Sequence, residues 1–331
     1  MLISRPDALV IGGGVIGLTT ALALADRGAE VMLTEAGHTG QEASWAGAGI
    51  LFPIYPWRYS TRVQTLAQRG RVLYPALAER VLAESGIDPG YIRSGLRLFD
   101  DHETASRWCR EHHEPAETVS GAAGGGLLLP AVAQIRNPRL CAGLKALLIG
   151  LGVTVREACR VTGLDEQHDG VTAVTAGGER IAAGTVIVCA GAWSRRLLPA
   201  LPIRPVKGQM LLLEDEPGRW PHILLEDGRY LVPRADGRLL IGSTVEDIGF
   251  DQGTDAKAMQ KLREHFARRF PRLLELPEQG RWAGLRPASD DEQPIIGPLS
   301  GSQRIYANTG HFRNGLTMAP AAAEALLETM G

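Results

Sequence analysis

The first 35 residues combine two short apolar runs with one segment of helical periodicity. Residues 8–11 are wholly apolar, which predicts a buried parallel strand. Residues 15–27 have apolar side chains at helical spacing and end at Gly28, which suits a helix C-cap. Residues 31–34 predict a second strand, which Glu35 closes. The pattern therefore predicts a strand–helix–strand unit at the start of the chain.

The rest of the chain alternates between helical and strand periodicity. Helical spacing recurs over 60–85, 103–113, 137–148, 256–270 and 316–330. Strand patterns occur at 153–155, 161–164, 171–175, 180–182, 185–190, 203–214, 229–234, 238–244 and 304–307. The run 185–190 is wholly apolar and fits a further strand of the first sheet, whereas the patterns after residue 203 predict an antiparallel sheet. The glycine-rich residues 121–126 predict a loop.

The turn after the first predicted strand has the pattern Gly-x-Gly-x-x-Gly, at Gly12, Gly14 and Gly17. The first glycine allows a tight turn, the second admits a pyrophosphate against the backbone, and the third lets helix and strand pack closely. Glu35, which follows Gly17 by 18 residues, stands where a carboxylate binds the ribose hydroxyls. The motif predicts a dinucleotide site, and Glu35 disfavours NADP because it would repel a 2′-phosphate.

A second glycine-bounded segment, at 310–315, precedes the last helical pattern. A helix that begins there would direct the partial positive charge of its N-terminus into the same site. A cofactor held by both ends of the chain fits a resident flavin better than an exchangeable nicotinamide. The sequence therefore favours FAD.

These elements predict an α/β fold with an α+β second domain. A Rossmann-type FAD-binding domain would be built from discontinuous segments, beside a substrate-binding domain with an antiparallel sheet. The length of 331 residues suits two domains. We expect the FAD-binding domain to comprise 1–60, 137–200 and 300–331, and the substrate-binding domain to comprise 61–136 and 201–299.

Composition disfavours several classes of function. The formal net charge is −2 and no long basic run occurs, so neither nucleic acid nor an anionic membrane surface is an expected partner. Apolar runs are far shorter than the roughly 18 residues of a membrane span. The run at 8–11 is too short for a signal peptide. Residues 111–114, Glu-His-His-Glu, do not share one helix face, so no metal site is expected.

The cysteines are scattered, at Cys109, Cys141, Cys159 and Cys189. They form no CxxC pair and are expected to be reduced thiols, which favours a cytoplasmic location.

Eight segments together resemble the D-amino-acid oxidase family of flavoproteins. They are VIGGGVIG at 10–17, SWAGAGIL at 44–51, PIYPWRY at 53–59, VIVCAGAWS at 186–194, RPVKGQMLLL at 204–213, GRYLVPRADGRLLIGST at 228–244, WAGLRPASDD at 282–291 and GHFRNGLTMAP at 310–320. They follow the family's order and span nearly the whole chain.

The resemblance implies a set of cofactor contacts. The pyrophosphate would be held by Gly12, Gly14, Val15, Ile16 and Gly17, and the adenosine ribose by Glu35 and Ala36. Further contacts would come from Ala43, Ser44, Ala48, Gly49, Ile50, Gly191 and, through its backbone, Val161. The pyrimidine edge of the flavin would be wrapped by His311, Phe312, Arg313, Asn314, Gly315, Leu316 and Thr317.

The resemblance also implies a substrate clamp, in which Arg286 binds the substrate carboxylate with help from Tyr230, and Arg313 lies beside the amino group. A bidentate arginine is the natural partner of a carboxylate, which supports Arg286 from chemistry alone. A structural ion pair for Arg286 and an ordinary strand aromatic for Tyr230 are the alternatives.

The chemistry implied by the family is hydride transfer from the amine-bearing α-carbon to flavin N5. Glycine, sarcosine or a small D-amino acid would give an imine, and iminoglycine would hydrolyse to glyoxylate and ammonia or supply thiamine thiazole synthesis. Molecular oxygen would reoxidise the flavin and yield hydrogen peroxide, and a thiazole synthase would be a partner. The resemblance implies that a covalent flavin, as in the sarcosine-oxidase relatives, would need a cysteine late in the chain. No cysteine follows Cys189, so the FAD is expected to be non-covalent.

Several alternatives stay open at this point. The electrons could pass to an acceptor other than oxygen, the substrate could be a larger N-substituted glycine, or the chain could be a flavin-binding subunit without turnover. The exact amine, the oligomeric state, for which a homo-oligomer is compatible, and the role of residues 52–60 as a lid are also open.

Overall fold

The computed structural model describes residues 5–121 and 124–331. Its α-helices, numbered α1 to α8, are Val15–Asp26, Ala43–Ala46, Thr61–Ser85, His102–Glu111, Asn137–Gly150, Ser194–Leu197, Ala256–Ala267 and Gly315–Met330. Its β-strands, numbered β1 to β19, are Ala8–Ile11, Val31–Thr34, Ile50–Leu51, Leu96–Leu98, Glu117–Val119, Gly126–Leu129, Ala133–Gln134, Thr154–Arg156, Val161–Gln167, Gly170–Thr175, Arg180–Ala183, Thr185–Val188, Ile203–Glu214, Ile223–Glu226, Arg229–Pro233, Arg238–Gly242, Glu278–Ser289, Ile295–Pro298 and Ile305–Thr309.

The first sheet has the strand order β18-β19-β12-β1-β2-β8. All neighbouring strands are parallel except the edge strand β18, which runs antiparallel to β19. The strands β1, β2 and β12 are almost wholly buried, which explains their continuous apolar runs. This sheet collects strands from both ends and the middle of the chain, so the predicted α/β fold built from discontinuous segments is confirmed.

Two helices, α1 and α3, pack against α8 and fix its direction. Tyr74 of α3 is fully buried, and its hydroxyl donates to the carbonyl of Leu316 at 2.5 Å. On the same helix, a Cβ at Gly70 would lie 2.0 Å from the carbonyl oxygen of Thr317, so α3 and α8 pack backbone to backbone there. The hydroxyl of Thr19 in α1 donates to the carbonyl of Ala319 at 3.1 Å. The N-terminus of α8 is therefore anchored by α1 and α3.

The second sheet has eight strands in the order β17-β13-β16-β15-β14-β4-β6-β5, and its pairs are antiparallel except β14 with β4. Along β13 successive side chains alternate between two cores, as the strand period requires. Leu211 and Leu213 pack with α7, whereas Met210 packs with Phe52 and Tyr230 on the opposite face. The predicted antiparallel sheet is confirmed, with one parallel pair that the sequence pattern did not indicate.

The longest strand missed by the sequence pattern is β17, which pairs with β13 along its length. It contains Gly280, Gly284 and Pro287 as well as charged side chains, which interrupt the alternation of apolar and polar positions. Its strand conformation comes from its register with β13, where Val206 lies opposite Arg286. Arg286 therefore lies inside a long strand and not at the end of a short element.

The division into two domains stays a prediction, although the sheets locate its segments. Residues 295–298, within the range expected for the substrate-binding domain, pair with β19 in the first sheet. The glycine-rich segment 121–126 ends in strand β6, which begins at Gly126. Residues 122 and 123 of that predicted loop lie outside the described residues.

Candidate functional site

A cavity of about 550 Å³ lies between the two sheets. On one side it is lined by residues at the carboxyl ends of β1, β2 and β12, which is where open α/β sheets bind their ligands. On the other side it is lined by residues of β13, β15 and β17. The volume falls within the range of small-molecule and cofactor sites. The two sheets thus share one cavity, with a nucleotide-binding end at the glycine turn and a second end at β13, β15 and β17.

At the nucleotide-binding end, the glycine turn brings backbone close to the cavity. Gly12 has φ +115°, and a Cβ there would lie 2.4 Å from the carbonyl oxygen of Cys189. A Cβ at Gly17 would lie 1.8 Å from the carbonyl oxygen of Gly12, so only glycine allows α1 to approach the turn this closely. At the first residue of α1, the N–H of Val15 donates to the hydroxyl oxygen of Ser44 at 2.9 Å.

Glu35 closes the same end of the cavity. Its carboxylate accepts hydrogen bonds from the backbone N–H groups of Gly13, at 2.7 Å, and Gly37, at 2.8 Å. The side chain is held in one orientation beside the glycine turn and lines the cavity. This is the position that a carboxylate needs to bind ribose hydroxyls.

The segment before α8 forms the wall shared by the two ends. His311 is buried, lines the cavity and makes no hydrogen bond through Nε2 within the described residues. Burial, with a contribution from the positive charge of Arg62, lowers the pKa of His311 to about 3, so the imidazole is neutral. The hydroxyl of Thr317 donates to the carbonyl of Ile50 at 3.2 Å and joins this segment to β3.

Most of the predicted cofactor contacts line the cavity. They are Gly12, Gly14, Val15, Ile16, Glu35, Ala36, Ala43, Ser44, Ala48, Gly49, Ile50, Val161, Gly191, His311, Phe312, Arg313, Gly315 and Leu316. Gly17, Asn314 and Thr317 are absent from the lining and pack behind it, where they support the turn and the start of α8. Their direct contact with a cofactor stays a prediction.

The second end of the cavity is dominated by Arg286. Its Nη2 donates to Ser243 Oγ at 2.6 Å and its Nη1 to the carbonyl of Thr244 at 3.3 Å. The guanidinium lies over Gly208, where a Cβ would be 2.2 Å from both Nη1 and Nη2. Within the described residues no carboxylate pairs with it. Burial lowers the pKa of Arg286, and the nearby positive charge of Arg313 lowers it further.

Tyr230 and Arg313 lie at the same end. The Tyr230 hydroxyl interacts with the Arg286 guanidinium and donates to Met210 Sδ at 3.5 Å. Arg313 Nη2 donates to the carbonyl of Gly228 at 3.2 Å and, in the described part of the chain, has no carboxylate partner either. The three residues of the predicted substrate clamp therefore lie together at the second end of the cavity.

Residues 52–60 are bound at two points to the short connection between β4 and α4. The Tyr55 hydroxyl donates to the Asp100 carboxylate at 2.7 Å, and Trp57 Nε1 donates to Asp101 Oδ2 at 2.9 Å. Trp57 also packs against Trp108 and is not part of the cavity lining. Of this segment, Phe52 and Ile54 line the cavity.

Sequence reasoning missed several residues around the cavity, notably Asn137, Arg234, Gly208, Ser243 and Met210. Asn137 is visible in the sequence only as a helix start before proline, and Arg234 only as a polar residue beside a turn. Their proximity to the cavity depends on strand register and on contacts between distant segments. No local pattern indicates such contacts.

Comparison with known proteins supports the interpretation of the cavity. Residues 7–329 match the family model described as FAD dependent oxidoreductase. The chain belongs to the FAD-dependent oxidoreductase family. As a member of this family, it is an amine-oxidising flavoenzyme that uses FAD, in agreement with the prediction from the glycine turn and the segment 310–315.

Individual relatives narrow the comparison within the FAD-dependent oxidoreductase family. A glycine oxidase of Pseudomonas putida is 40% identical over 96% of this chain and 92% of its own. A bifunctional ThiO/ThiG protein of Trichormus variabilis is 32% identical over 96% of this chain, which spans 51% of that protein. The crystal structure of glycine oxidase from Geobacillus kaustophilus matches 98% of this chain and 94% of its own, with a TM-score of 0.91 and 28% identity.

The residues present fit FAD, the cofactor of this family. The glycine turn leaves room for a pyrophosphate, and Glu35 is oriented for a ribose. Ala48 and Gly49 are buried residues that line the cavity, and their amide N–H groups have no hydrogen-bond partner within the described residues. Buried donors of this kind are normally satisfied, so they indicate a ligand with acceptor atoms.

Membrane-spanning helices and metal-binding clusters are both absent from residues 5–121 and 124–331. No helix there combines the length and apolar character of a membrane span. No group of three or more His, Cys, Asp or Glu side chains there is arranged to hold a metal ion.

Proposed function

We propose that this chain catalyses the FAD-dependent oxidative deamination of glycine and similarly small amines. The observation that carries the proposal is Arg286, a guanidinium without a carboxylate partner in the described residues, at the wall of a cavity that fits FAD. A planar guanidinium binds a carboxylate through two parallel hydrogen bonds. Relatives that carry the name glycine oxidase, among them those of Pseudomonas putida and Geobacillus kaustophilus, support glycine as the substrate.

In this proposal the protein acts mainly by orientation. Ser243 and Thr244 hold the guanidinium of Arg286, which in turn fixes the substrate carboxylate, while the Tyr230 hydroxyl stands beside it. Bound FAD supplies the acceptor for the hydride that leaves the α-carbon. A fixed carboxylate restricts the α-carbon to few orientations, so the entropic cost of reaching a reactive geometry is met on binding.

The lining of the cavity offers no strong base for the substrate amine. Its carboxylates, within the described residues, are Glu35, which accepts from the glycine turn, and Glu42, which accepts from Gln252 Nε2 at 2.8 Å. His311 is a poor proton acceptor because burial lowers its pKa to about 3. Arg286 and Arg313 also disfavour a cationic amine by charge repulsion. The amine therefore binds in its neutral form and needs no general base.

The test is anaerobic bleaching of the flavin by glycine, sarcosine, small D-amino acids and iminodiacetate. Glycine should bleach the wild-type flavin, and Arg286→Ala should raise KM about 100-fold with FAD still bound, since hydrogen bonds to charged groups contribute about 1.5–3 kcal/mol. FAD that stays oxidised with every amine would favour a flavin-binding subunit without turnover. Unchanged kinetics in the variant would remove Arg286 from the clamp.

A second candidate is the oxidation of a larger N-substituted glycine that carries two carboxylates. It is favoured by Arg313, a second guanidinium at the same end without a carboxylate partner in the described part of the chain. In that case iminodiacetate should have the higher kcat/KM, and Arg313→Gln should lower it for iminodiacetate more than for glycine. Equal losses for both substrates would exclude a second carboxylate site.

The remaining details are also proposals. We infer that oxygen is the electron acceptor, which peroxide detection with and without an artificial acceptor tests. The ThiO/ThiG relative supports a thiazole synthase as partner for the imine product. A cytoplasmic location and a homo-oligomer stay predictions.

We also infer that FAD is bound without a covalent link. Cys159 and Cys189 are the cysteines that line the cavity, among the described residues, and burial raises the pKa of both thiols, that of Cys189 to about 12. Protonated thiols are weak nucleophiles. Acid extraction should release all of the yellow colour.

A further inference from the structure

Several backbone carbonyl groups of residues 44–50 accept hydrogen bonds from the side chains of Asn137, which also lines the cavity, and Arg234, which does not. Asn137 Nδ2 donates to the carbonyls of Ser44, at 2.9 Å, and Gly47, at 3.1 Å. Arg234 Nη2 donates to the carbonyl of Ala48 at 2.8 Å. The donors come from α5 and from the turn after β15, far apart in sequence. They fix a segment that has little regular secondary structure of its own.

The bond from Arg234 determines where the next amide points. A trans peptide places its C=O and its N–H on opposite sides, so the Ala48 carbonyl that faces Arg234 turns the Gly49 N–H away from it. Gly49 lines the cavity, whereas Arg234 does not. Gly49 is a buried residue, and its N–H has no hydrogen-bond partner within the described residues. It is thus a free donor on the cavity side of the peptide.

Burying the guanidinium of Arg234 at this position is energetically unfavourable. Arg234 is 8% exposed, and in the described residues no carboxylate pairs with it. Asp236, two residues later, instead pairs with Arg136 at 2.8 Å. Burial is the main reason that the pKa of Arg234 falls to about 9. An unpaired buried cation is strongly unfavourable unless its donors are satisfied.

Within the described part of the chain, the guanidinium donates hydrogen bonds to neutral oxygen atoms around the same loop. Besides Ala48, Arg234 Nη1 donates to Gln134 Oε1 at 2.7 Å and to the carbonyl of Ile135 at 3.2 Å. The N–H of Ile135 in turn donates to the carbonyl of Gly49 at 2.8 Å. A Cβ at Gly49 would lie 2.0 Å from the Ile135 carbonyl oxygen, so the two segments are in backbone contact. Arg234 therefore joins β7 to the loop that lines the cavity.

We propose that Arg234 is a positioning residue, which holds the Ala48–Gly49 peptide so that the Gly49 N–H donates to an acceptor atom of the bound flavin ring. A donor at that ring stabilises the reduced flavin, which carries more negative charge than the oxidised form. The proposal rests on the placement of residues 48–50 beside the flavin and is independent of which amine is oxidised.

The test compares Arg234→Met, Arg234→Lys and the control Arg238→Met in the holoenzyme. Met removes every donor, Lys keeps the charge without the planar set of donors, and Arg238 lies on the neighbouring strand with half of its side chain exposed. The readouts are the midpoint potential of the flavin, measured with a reference dye, and the thermal midpoint. Neither requires turnover of an amine, so failure here is distinct from failure of the proposed reaction.

We expect Arg234→Met and Arg234→Lys to lower the midpoint potential by about 30 mV, which for two electrons equals a tenfold loss in relative stability of the reduced flavin. Arg238→Met should leave it unchanged. A lower thermal midpoint with an unchanged potential would assign Arg234 a merely structural role and overturn the proposal. Full recovery of the potential in Arg234→Lys would show that charge, not position, matters and would also overturn it. The lysine variant keeps the fold testable should the methionine variant fail to fold.

Discussion

The two ends of the cavity differ in which atoms their glycines allow to approach. At the nucleotide-binding end, glycine backbone approaches other backbone: positions for a Cβ at Gly12 and Gly17 fall 2.4 and 1.8 Å from carbonyl oxygens. At the second end, the proposed substrate end, a glycine makes room for a side chain: a Cβ at Gly208 would meet the guanidinium of Arg286. The close approach at Gly12 and Gly17 is between backbone atoms and is a feature of the fold. The close approach at Gly208 serves to place one functional group, the guanidinium of Arg286.

This difference predicts which property a substitution at each end should change. Backbone atoms of packed strands and helices cannot move to admit a methyl group, so a change at the nucleotide-binding end should cost stability and cofactor together. An arginine side chain can turn away, so a change at the substrate end should leave the fold and the FAD intact and affect substrate binding alone.

The largest effect is expected from Gly17→Ala. Its methyl group would collide with the carbonyl of Gly12, and the cost of overpacking reaches about 3 kcal/mol where backbone must shift. The purified variant should contain little FAD and have a clearly lower thermal midpoint. Gly150→Ala is the matched control, because Gly150 ends α5 and a Cβ there has no neighbour within 4 Å. Full FAD content in Gly17→Ala would show that the turn has room to rearrange.

The next largest effect is expected at the end of the cavity that contains Arg286. In Gly208→Ala the methyl group displaces the Arg286 guanidinium from Ser243, and KM for glycine should rise about 10- to 100-fold, since a hydrogen bond to a charged group contributes about 1.5–3 kcal/mol. FAD content and thermal midpoint should stay close to wild type. Gly280→Ala, on the adjacent strand β17 with nothing within 4 Å, is the control.

A double-mutant cycle identifies the cause of that loss. In an Arg286→Ala background there is no guanidinium to displace, so adding Gly208→Ala should bring no further loss in kcat/KM. If the two losses simply add, the methyl group acts through the strand and not through Arg286.

The same contrast explains which parts of the molecule could be predicted from sequence. The strand, glycine turn and helix of the nucleotide-binding end are local signals, because each residue's role is set by neighbours within a few positions. Glu35 is also placed by its distance along the chain. These elements appear in the structure at or within a few residues of the predicted bounds.

The substrate end depends on contacts between segments that are distant in sequence. Strand β17 has no clear alternation of its own, and only its register with β13 places Arg286 over Gly208. The resemblance to a family indicated Arg286, but no feature of the sequence indicated Gly208, Ser243 or Arg234. Nonlocal packing of this kind leaves no periodic pattern, so only the folded structure reveals it.

The smallest effect concerns Glu35, the one charged side chain among the backbone contacts of the glycine turn. In Glu35→Gln one oxygen that now accepts from Gly13 or Gly37 becomes an N–H group, which leaves a backbone donor without a partner at a cost of about 1–3 kcal/mol, part of it recovered from water. We expect the dissociation constant of FAD to rise about tenfold, with KM for glycine unchanged. Glu42→Gln is the matched control, because Glu42 also lines the cavity but its carboxylate accepts from the exposed Gln252. Equal losses of FAD affinity in the two variants would mean that Glu35 contributes only negative charge. The hydrogen bonds that Glu35 accepts from the glycine turn would then not matter for FAD binding.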